Sequence, residues 1–303
     1  VGLLIGFTTI LVVIAAGAAL AHVGVLDHRS QRTLGEIAFF VASPALMVVT
    51  ISQVHLEAAA ANLVASSVSL AVCFTAYVVI ARLRWGLGTG PLLIGALSSS
   101  YVNAGNLGIA IAAYVVGDIT VVVPTLLVQM LLVQPAALIV LDRITGRGEG
   151  VRPAVRRLVT NPLTVAAVLG LVLATTGWQL PAPLLSPLEM LAGAAIPLML
   201  MSYGAALRLS PPIGRAGHNG EVVVATVLKM GVMPVVAWAV GVALGLDDRV
   251  LLGVVITAAL PTAQNIFLHA TRYRVGEDVA RETILVTTLA SLPAALIVAV
   301  LLG

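Results

Sequence analysis

Two polar stretches interrupt an otherwise apolar chain. Residues 98–108 read SSSYVNAGNLG and residues 259–265 read ALPTAQN. Ser98, Ser99, Ser100, Asn103 and Asn106 in the first, with Thr262, Gln264 and Asn265 in the second, can furnish hydrogen bonds to a polar ligand. Pro261 lacks an amide hydrogen and crowds the carbonyl four residues back, while Gly105 and Gly108 lower the cost of leaving helical geometry. Two interrupted helices are therefore expected. Loose backbone groups at such breaks are tolerated only inside protein or a wet cavity, where the N-termini of half-helices offer amide donors and positive dipole ends to an anion. The competing use is adhesive: small and amide side chains pack helices closely and bond across them, at about 1 kcal/mol or less per contact. Asn103/Asn106 and Gln264/Asn265 occupy matching places in the two halves of the chain, which favours the ligand reading for them. For a single serine the adhesive reading is favoured.

Lys229 lies inside an apolar run, about 12 Å from the nearer end at 1.5 Å per residue, deeper than snorkelling reaches. An intramembrane ionisable group is a functional candidate by default. A fixed cation could attract a carboxylate or replace a coupling cation; equally, it could bond to carbonyls of a broken helix and hold the core together. Thr33-Leu-Gly-Glu36 and Ser186-Pro-Leu-Glu189 both read as capping boxes, the second with proline at the first helical position. His269 falls in the last turn of its span, near Arg272. His22, His28, His55 and His218 form no metal-ligand spacing, and Cys73 is the single cysteine. No HExxH occurs, no two aspartates face mid-membrane, and the serine run lacks an identifiable base, so enzyme chemistry is not expected. No cofactor or metal is expected either.

The elements that must position these residues are membrane spans. Hydrophobic residues make up 60% of 303 positions and charged residues 10%, a balance that cannot cover a soluble surface. Charges, prolines and glycines punctuate ten apolar runs, at about 3–26, 33–53, 60–81, 90–116, 120–141, 161–180, 187–207, 222–245, 250–271 and 280–302. The first is read as a span rather than a cleaved signal peptide. Fourteen of the sixteen basic residues then fall in odd-numbered loops, which predicts that those loops are cytoplasmic and that both termini lie outside. Orienting the spans accounts for the net charge of +3 without any nucleic-acid partner.

The halves repeat. PAALIV occurs at 135–140 and again at 293–298; LLIGALSSSYVNAGN at 92–106 aligns with LLGVVITAALPTAQN at 251–265; Glu36 and Glu189 each precede a proline, Pro44 and Pro197, by eight residues. The offsets run from 153 to 159. Because five is odd, the second unit enters the bilayer from the opposite side, the inverted repeat of secondary carriers. The expected fold is an all-α polytopic membrane protein of ten transmembrane helices: a first five-helix repeat at 1–144, a basic cytoplasmic loop at 145–160, and an inverted second repeat at 161–303, with broken helices four and nine crossing at mid-membrane.

On these residues the chain resembles the auxin efflux carrier family, which includes bacterial malonate and malate permease-like members and plant PIN-type exporters. NAGNLGI at 103–109 resembles the family's Asn-x-x-x-x-Gly-Ile stretch, ALPTAQNIFLHATRY at 259–273 its proline-bearing helix nine, and Leu127-Val128-Gln129 its polar position in helix five. Many members carry proline after the Gly-Ile pair where this chain has Ala110, so the first break must rely on its glycines. The resemblance implies a scaffold of spans one, two, six and seven and a transport domain of spans three to five and eight to ten. It also implies substrate-facing roles for Asn103 and Gln129, and an organic carboxylate anion moved across the cytoplasmic membrane by an elevator-like or rocking motion. The expected partners are that anion, the lipid bilayer and, through the scaffold helices, a second copy of the chain. A sodium-coupled carboxylate or bile-acid-type symporter of related fold remains an alternative. A cation/proton antiporter is disfavoured, since it would ordinarily need acidic residues at the midplane.

Overall fold

A computed structural model describes residues 2–52, 56–146, 156, 159–209 and 217–303; of residues 2–4, 6, 7, 56–59 and 106 it describes the backbone alone. Arg147, Arg152, Arg157 and Arg215 of the basic loops, and His55, lie outside the described residues. These residues form helices α1 (Gly2–His22), α2 (His28–Ile51), α3 (Leu56–Trp85), α4 (Thr89–Ser98), α5 (104–116), α6 (Ile119–Ile144), α7 (Pro162–Thr176), α8 (Ala182–Leu209), α9 (Asn219–Ala243), α10 (Asp248–Ala258), α11 (Asn265–Tyr273) and α12 (Glu277–Leu302). Among the described residues the fold is all-helical, apart from one isolated antiparallel bridge, Val102 to Thr262. α2, α6, α8, α9, α12 and Ala60–Trp85 of α3 are each long and apolar enough to cross a membrane. Thr8–His22, α4 and α7 are apolar but shorter. Large apolar side chains such as Leu83, Met190, Val300 and Leu301 face outward, the arrangement that a lipid solvent permits and water penalises.

The chain divides into two compact units: Val1–Glu57, Gly105–Val123 and Arg157–Pro211 in one; Ala58–Ala104, Pro124–Arg156 and Pro212–Gly303 in the other. In the first, glycines let backbones touch. A Cβ on Gly17 would overlap the Met201 carbonyl, and one on Gly204 the Ile14 carbonyl, so α1 and α8 meet main chain to main chain. Gly170 of α7 instead receives the side chain of Ile51 of α2. Polar contacts add to this packing: Gln31 Nε2 donates to Ser202 Oγ at 3.0 Å. The second unit packs Ile94, Leu97 and Tyr101 against Leu138 and Leu141 of α6 and against Ile266 and Ala270 of α11. At one edge of that cluster the Tyr273 hydroxyl donates to the buried Asp142 carboxylate at 2.5 Å.

Three helices widen by one residue per turn just before a proline. These π turns are Ala38–Ala42, Gln129–Val133 and Leu228–Val232, followed by Pro44, Pro135 and Pro234. A proline ring clashes with the carbonyl a turn earlier, and a wider turn relieves the clash while re-aiming the side chains it carries.

Neither expected capping box forms. α2 starts at His28, ahead of Thr33, because Asp27 caps it: its carboxylate accepts from the Ser30 amide at 2.7 Å while the Ser30 hydroxyl oxygen accepts from the Asp27 amide at 2.8 Å. The Ser30 hydroxyl and amide also hold the Asp27 carboxyl below the usual aspartate range. Thr33 instead donates back to the Arg29 carbonyl, and Glu36 pairs with Arg32. α8 starts at Ala182, so Ser186, Pro187 and Glu189 lie inside the helix. Pro183 sits in its first turn, where a missing N–H is harmless, and the Pro181 carbonyl accepts from Leu184 and Leu185.

The glycine contacts set a stability test. Gly204→Leu forces a side chain into the Ile14 backbone, which cannot move aside, and should cost on the order of 1–3 kcal/mol. Gly193→Ala meets open space and should leave the unfolding temperature in detergent unchanged or raised. Equal melting of the two variants would contradict the packing described.

Candidate functional site

The site lies in the second unit, where helical geometry stops twice. α4 ends at Ser98, residues 99–103 are not helical, and the chain re-enters helix at Ala104; α10 ends at Ala258, and residues 259–264 separate it from α11. Pro261 lies within its gap. Gly105 and Gly108 lie in the wide turn Ala104–Gly108 that restarts the helix, so the first gap falls just ahead of them, on Ser99–Asn103.

The two gaps run antiparallel. The Asn103 amide donates to the Pro261 carbonyl at 2.8 Å and the Ala263 amide to the Tyr101 carbonyl at 3.2 Å, flanking the facing pair Val102 and Thr262. Neighbouring side chains meet the groups this bridge leaves over. Gln129 Oε1 accepts from the Val102 amide at 2.6 Å and its Nε2 donates to the Val102 carbonyl at 3.1 Å. Thr287 Oγ1 accepts from the Thr262 amide at 3.1 Å.

The last carbonyls of both half-helices are capped as well. Thr262 Oγ1 donates to the Ser98 carbonyl at 2.5 Å, and Lys229 Nζ to the Ala258 carbonyl at 2.8 Å, with Met233 Sδ at 3.4 Å. Lys229 is 0% exposed, and its Nζ lies at the C-terminal, negative end of the α10 dipole. The carbonyl-bonded alternative for this lysine is thus the contact observed. Both Gln129 and Lys229 project from the π turns described above.

The three serines turn back on their own helix. Ser98 Oγ donates to the Ile94 carbonyl at 2.8 Å, and Ser99 and Ser100 both donate to the Ala96 carbonyl, at 2.8 and 2.7 Å. The hydroxyl proton of Ser100 is therefore engaged.

The amides differ. Asn103 is 3% exposed, yet its Nδ2 has no hydrogen-bond partner, and neither has the buried Oδ1 of Asn265. Asn265 Nδ2 reaches Gln134 Oε1 at 3.5 Å, and that oxygen also accepts from the Tyr101 hydroxyl at 3.2 Å. Gln264 forms the N-cap position of α11 with no side-chain cap bond. The side chain of Asn106 lies outside the described residues. His269 is on α11, five residues before the left-handed Arg274 that ends it.

Sequence reasoning missed Thr287, Gln134 and Tyr101 as members of this site. A signal for Thr287 exists: it stands 158 residues after Gln129, the offset of the repeated PAALIV. Buried unpaired amides are rare and costly, about 1–3 kcal/mol each. One unpaired donor and one unpaired acceptor at a crossing whose main chain is otherwise held suit recognition of a polar ligand rather than covalent chemistry.

Comparison with known proteins agrees with a transport role. Residues 5–299 match the family described as membrane transport protein. The "Putative malonate transporter" of Rhizobium meliloti (strain 1021) is 28% identical over 287 residues, which is 88% of this chain and 86% of that protein. The "Probable auxin efflux carrier component 1c" of Oryza sativa subsp. japonica is 30% identical over 152 residues, covering 49% of this chain and 26% of that protein.

Thr262→Val removes an engaged hydroxyl and leaves the Ser98 carbonyl without its donor, at a cost of about 1–3 kcal/mol. Asn103→Ala removes a donor that bonds nothing and should cost less. Thermal unfolding in detergent compares them; a larger loss for Asn103→Ala would show that its amide serves the fold.

Proposed function

The chain belongs to the membrane transport protein family, the auxin efflux carrier family of its sequence resemblance, and from that premise we propose that it is a secondary active or facilitative carrier of a small organic carboxylate anion. The cargo crosses the cytoplasmic membrane by alternating access. The observation that carries this reading is the pair of buried amide atoms without protein partners, Asn103 Nδ2 and Asn265 Oδ1, beside the starts of two half-helices. Asn103 would donate to a carboxylate oxygen. Asn265 would offer a donor by exchanging its Nδ2 contact with Gln134 Oε1 for one to the cargo. Backbone amides at the N-terminus of α11 would add positive potential, and the buried Lys229, where protonated, would raise it further. The anion class has support from the relative named for malonate, which this chain matches over most of both lengths.

In this reading the ten spans form two inverted five-helix repeats, with the interrupted pairs α4/α5 and α10/α11 crossing near mid-membrane. The unit that holds the crossing acts as the transport domain, and the other as the scaffold. The odd-numbered loops face the cytoplasm and both termini face outward. Lys229 weighs against the sodium-coupled alternative, because its Nζ already occupies the Ala258 carbonyl that a sodium ion would need.

Proteoliposomes test the proposal. Malonate, malate and indole-acetate are compared with neutral amides, each with and without sodium and a pH gradient. One or more of the anions should be taken up and the amides excluded; Asn103→Ala and Asn265→Ala should each raise KM about tenfold, the equivalent of 1.4 kcal/mol. Carriage of the neutral amides at the same rate would refute the carboxylate assignment.

A further inference from the structure

Gln129 and Thr287 do the same task at equivalent places in the repeat. They stand 158 residues apart, as do the two copies of PAALIV that follow them. Both are buried, at 1% and 0% exposure. Gln129 receives the Val102 amide and reaches the Val102 carbonyl; Thr287 receives the Thr262 amide while donating its own proton to the Thr283 carbonyl at 2.7 Å. Val102 and Thr262 are the facing residues of the bridge. One half thus holds its crossing peptide with a carboxamide, and the other with a hydroxyl.

A carboxamide has two N–H donors and an oxygen with two lone pairs, and in Gln129 both the nitrogen and the oxygen are tied to the one Val102 peptide. Held at two points on one peptide and 1% exposed, the Gln129 side chain is committed to the crossing main chain. What it does control is the direction of the main chain next to it. Val102 precedes Asn103 directly, and Thr262 lies three residues before Asn265, so rotation of either peptide would swing the unpaired amide beyond it.

We infer that Gln129 and Thr287 are positioning residues that aim Asn103 and Asn265, and that Gln129 does so in place of touching the substrate. This departs from the substrate-facing role that family resemblance implies for Gln129, and it adds Thr287, which only the repeat offset marks in the sequence. The inference rests on the crossing being the carboxylate site.

The test uses three replacements of Thr287 in the full-length protein, with malonate as the probe. Thr287→Ser keeps the hydroxyl, Thr287→Val keeps the shape, and Thr287→Ala keeps neither. On monodisperse protein the serine variant should bind malonate within about twofold of wild type, and the valine and alanine variants about fivefold or more weakly, the equivalent of losing one ordinary hydrogen bond. Exchange of the Thr262 amide hydrogen, which needs no ligand, should quicken in valine and alanine but not in serine. Valine or alanine protein that binds as wild type overturns the inference. So does a series in which only serine yields folded protein, since the hydroxyl would then serve the fold. If wild type binds no carboxylate, the substrate reading fails; the exchange measurement still decides whether Thr287 holds the Thr262 peptide.

Discussion

Hydrocarbon cannot hydrogen-bond a peptide, and each backbone group left alone in it costs several kcal/mol. The crossing in the second unit is organised by that constraint. Residues 99–103 and 259–264 give up helical bonds, and their neighbours supply replacements: a two-bond antiparallel bridge, a carboxamide on Val102, a hydroxyl on Thr262, and caps on the Ser98 and Ala258 carbonyls. Four kinds of donor, peptide, amide, hydroxyl and ammonium, serve a segment of about a dozen residues. With the main chain supported in this way, the two helices can remain interrupted in an otherwise apolar setting.

That support also separates the polar residues by task. Ser98, Ser99, Ser100 and Thr262 bond carbonyls, and Gln129 and Thr287 bond the crossing peptides. Lys229 sits at the C-terminal end of α10, where its Nζ donates to a carbonyl at the negative end of the dipole. Asn103 and Asn265 are what remain, with one donor and one acceptor unpaired. Under the proposed function these two amide atoms, which stand among several buried polar atoms without a partner, receive the cargo. Family membership supports transport, and amides beside a helix N-terminus are chemistry that suits the proposed anion.

Much of this was legible in the sequence, for reasons that can be named. Length and hydropathy mark spans because lipid tolerates few charges, and Pro261 marks a gap because proline cannot donate. The polar clusters around Asn103 and Asn265 stand out because nothing else in an apolar run accounts for them. Other features were illegible because they depend on competition between neighbours. Asp27 caps α2 ahead of Thr33, since it can exchange bonds with Ser30 at closer range. The first gap falls on Ser99–Asn103, ahead of Gly105, because the serines can bond their own helix as it ends. The π turns that aim Gln129 and Lys229 carry only a proline five or six residues later as their signature, while Pro197 and Pro293 sit inside regular helices, so proline alone does not announce them. Partner identity was hardest of all: only coordinates show that both polar atoms of Gln129 belong to Val102.

The most direct measurement is solid-state NMR of the protein in lipid, with carboxyl-labelled malonate and nitrogen-labelled asparagine side chains. The account predicts strong dipolar dephasing between the carboxylate carbon and the Asn103 amide nitrogen, a separation of about 4 Å set by one hydrogen bond, and its disappearance in Asn103→Ala. Saturable malonate binding with no coupling to Asn103 or Asn265 would contradict it.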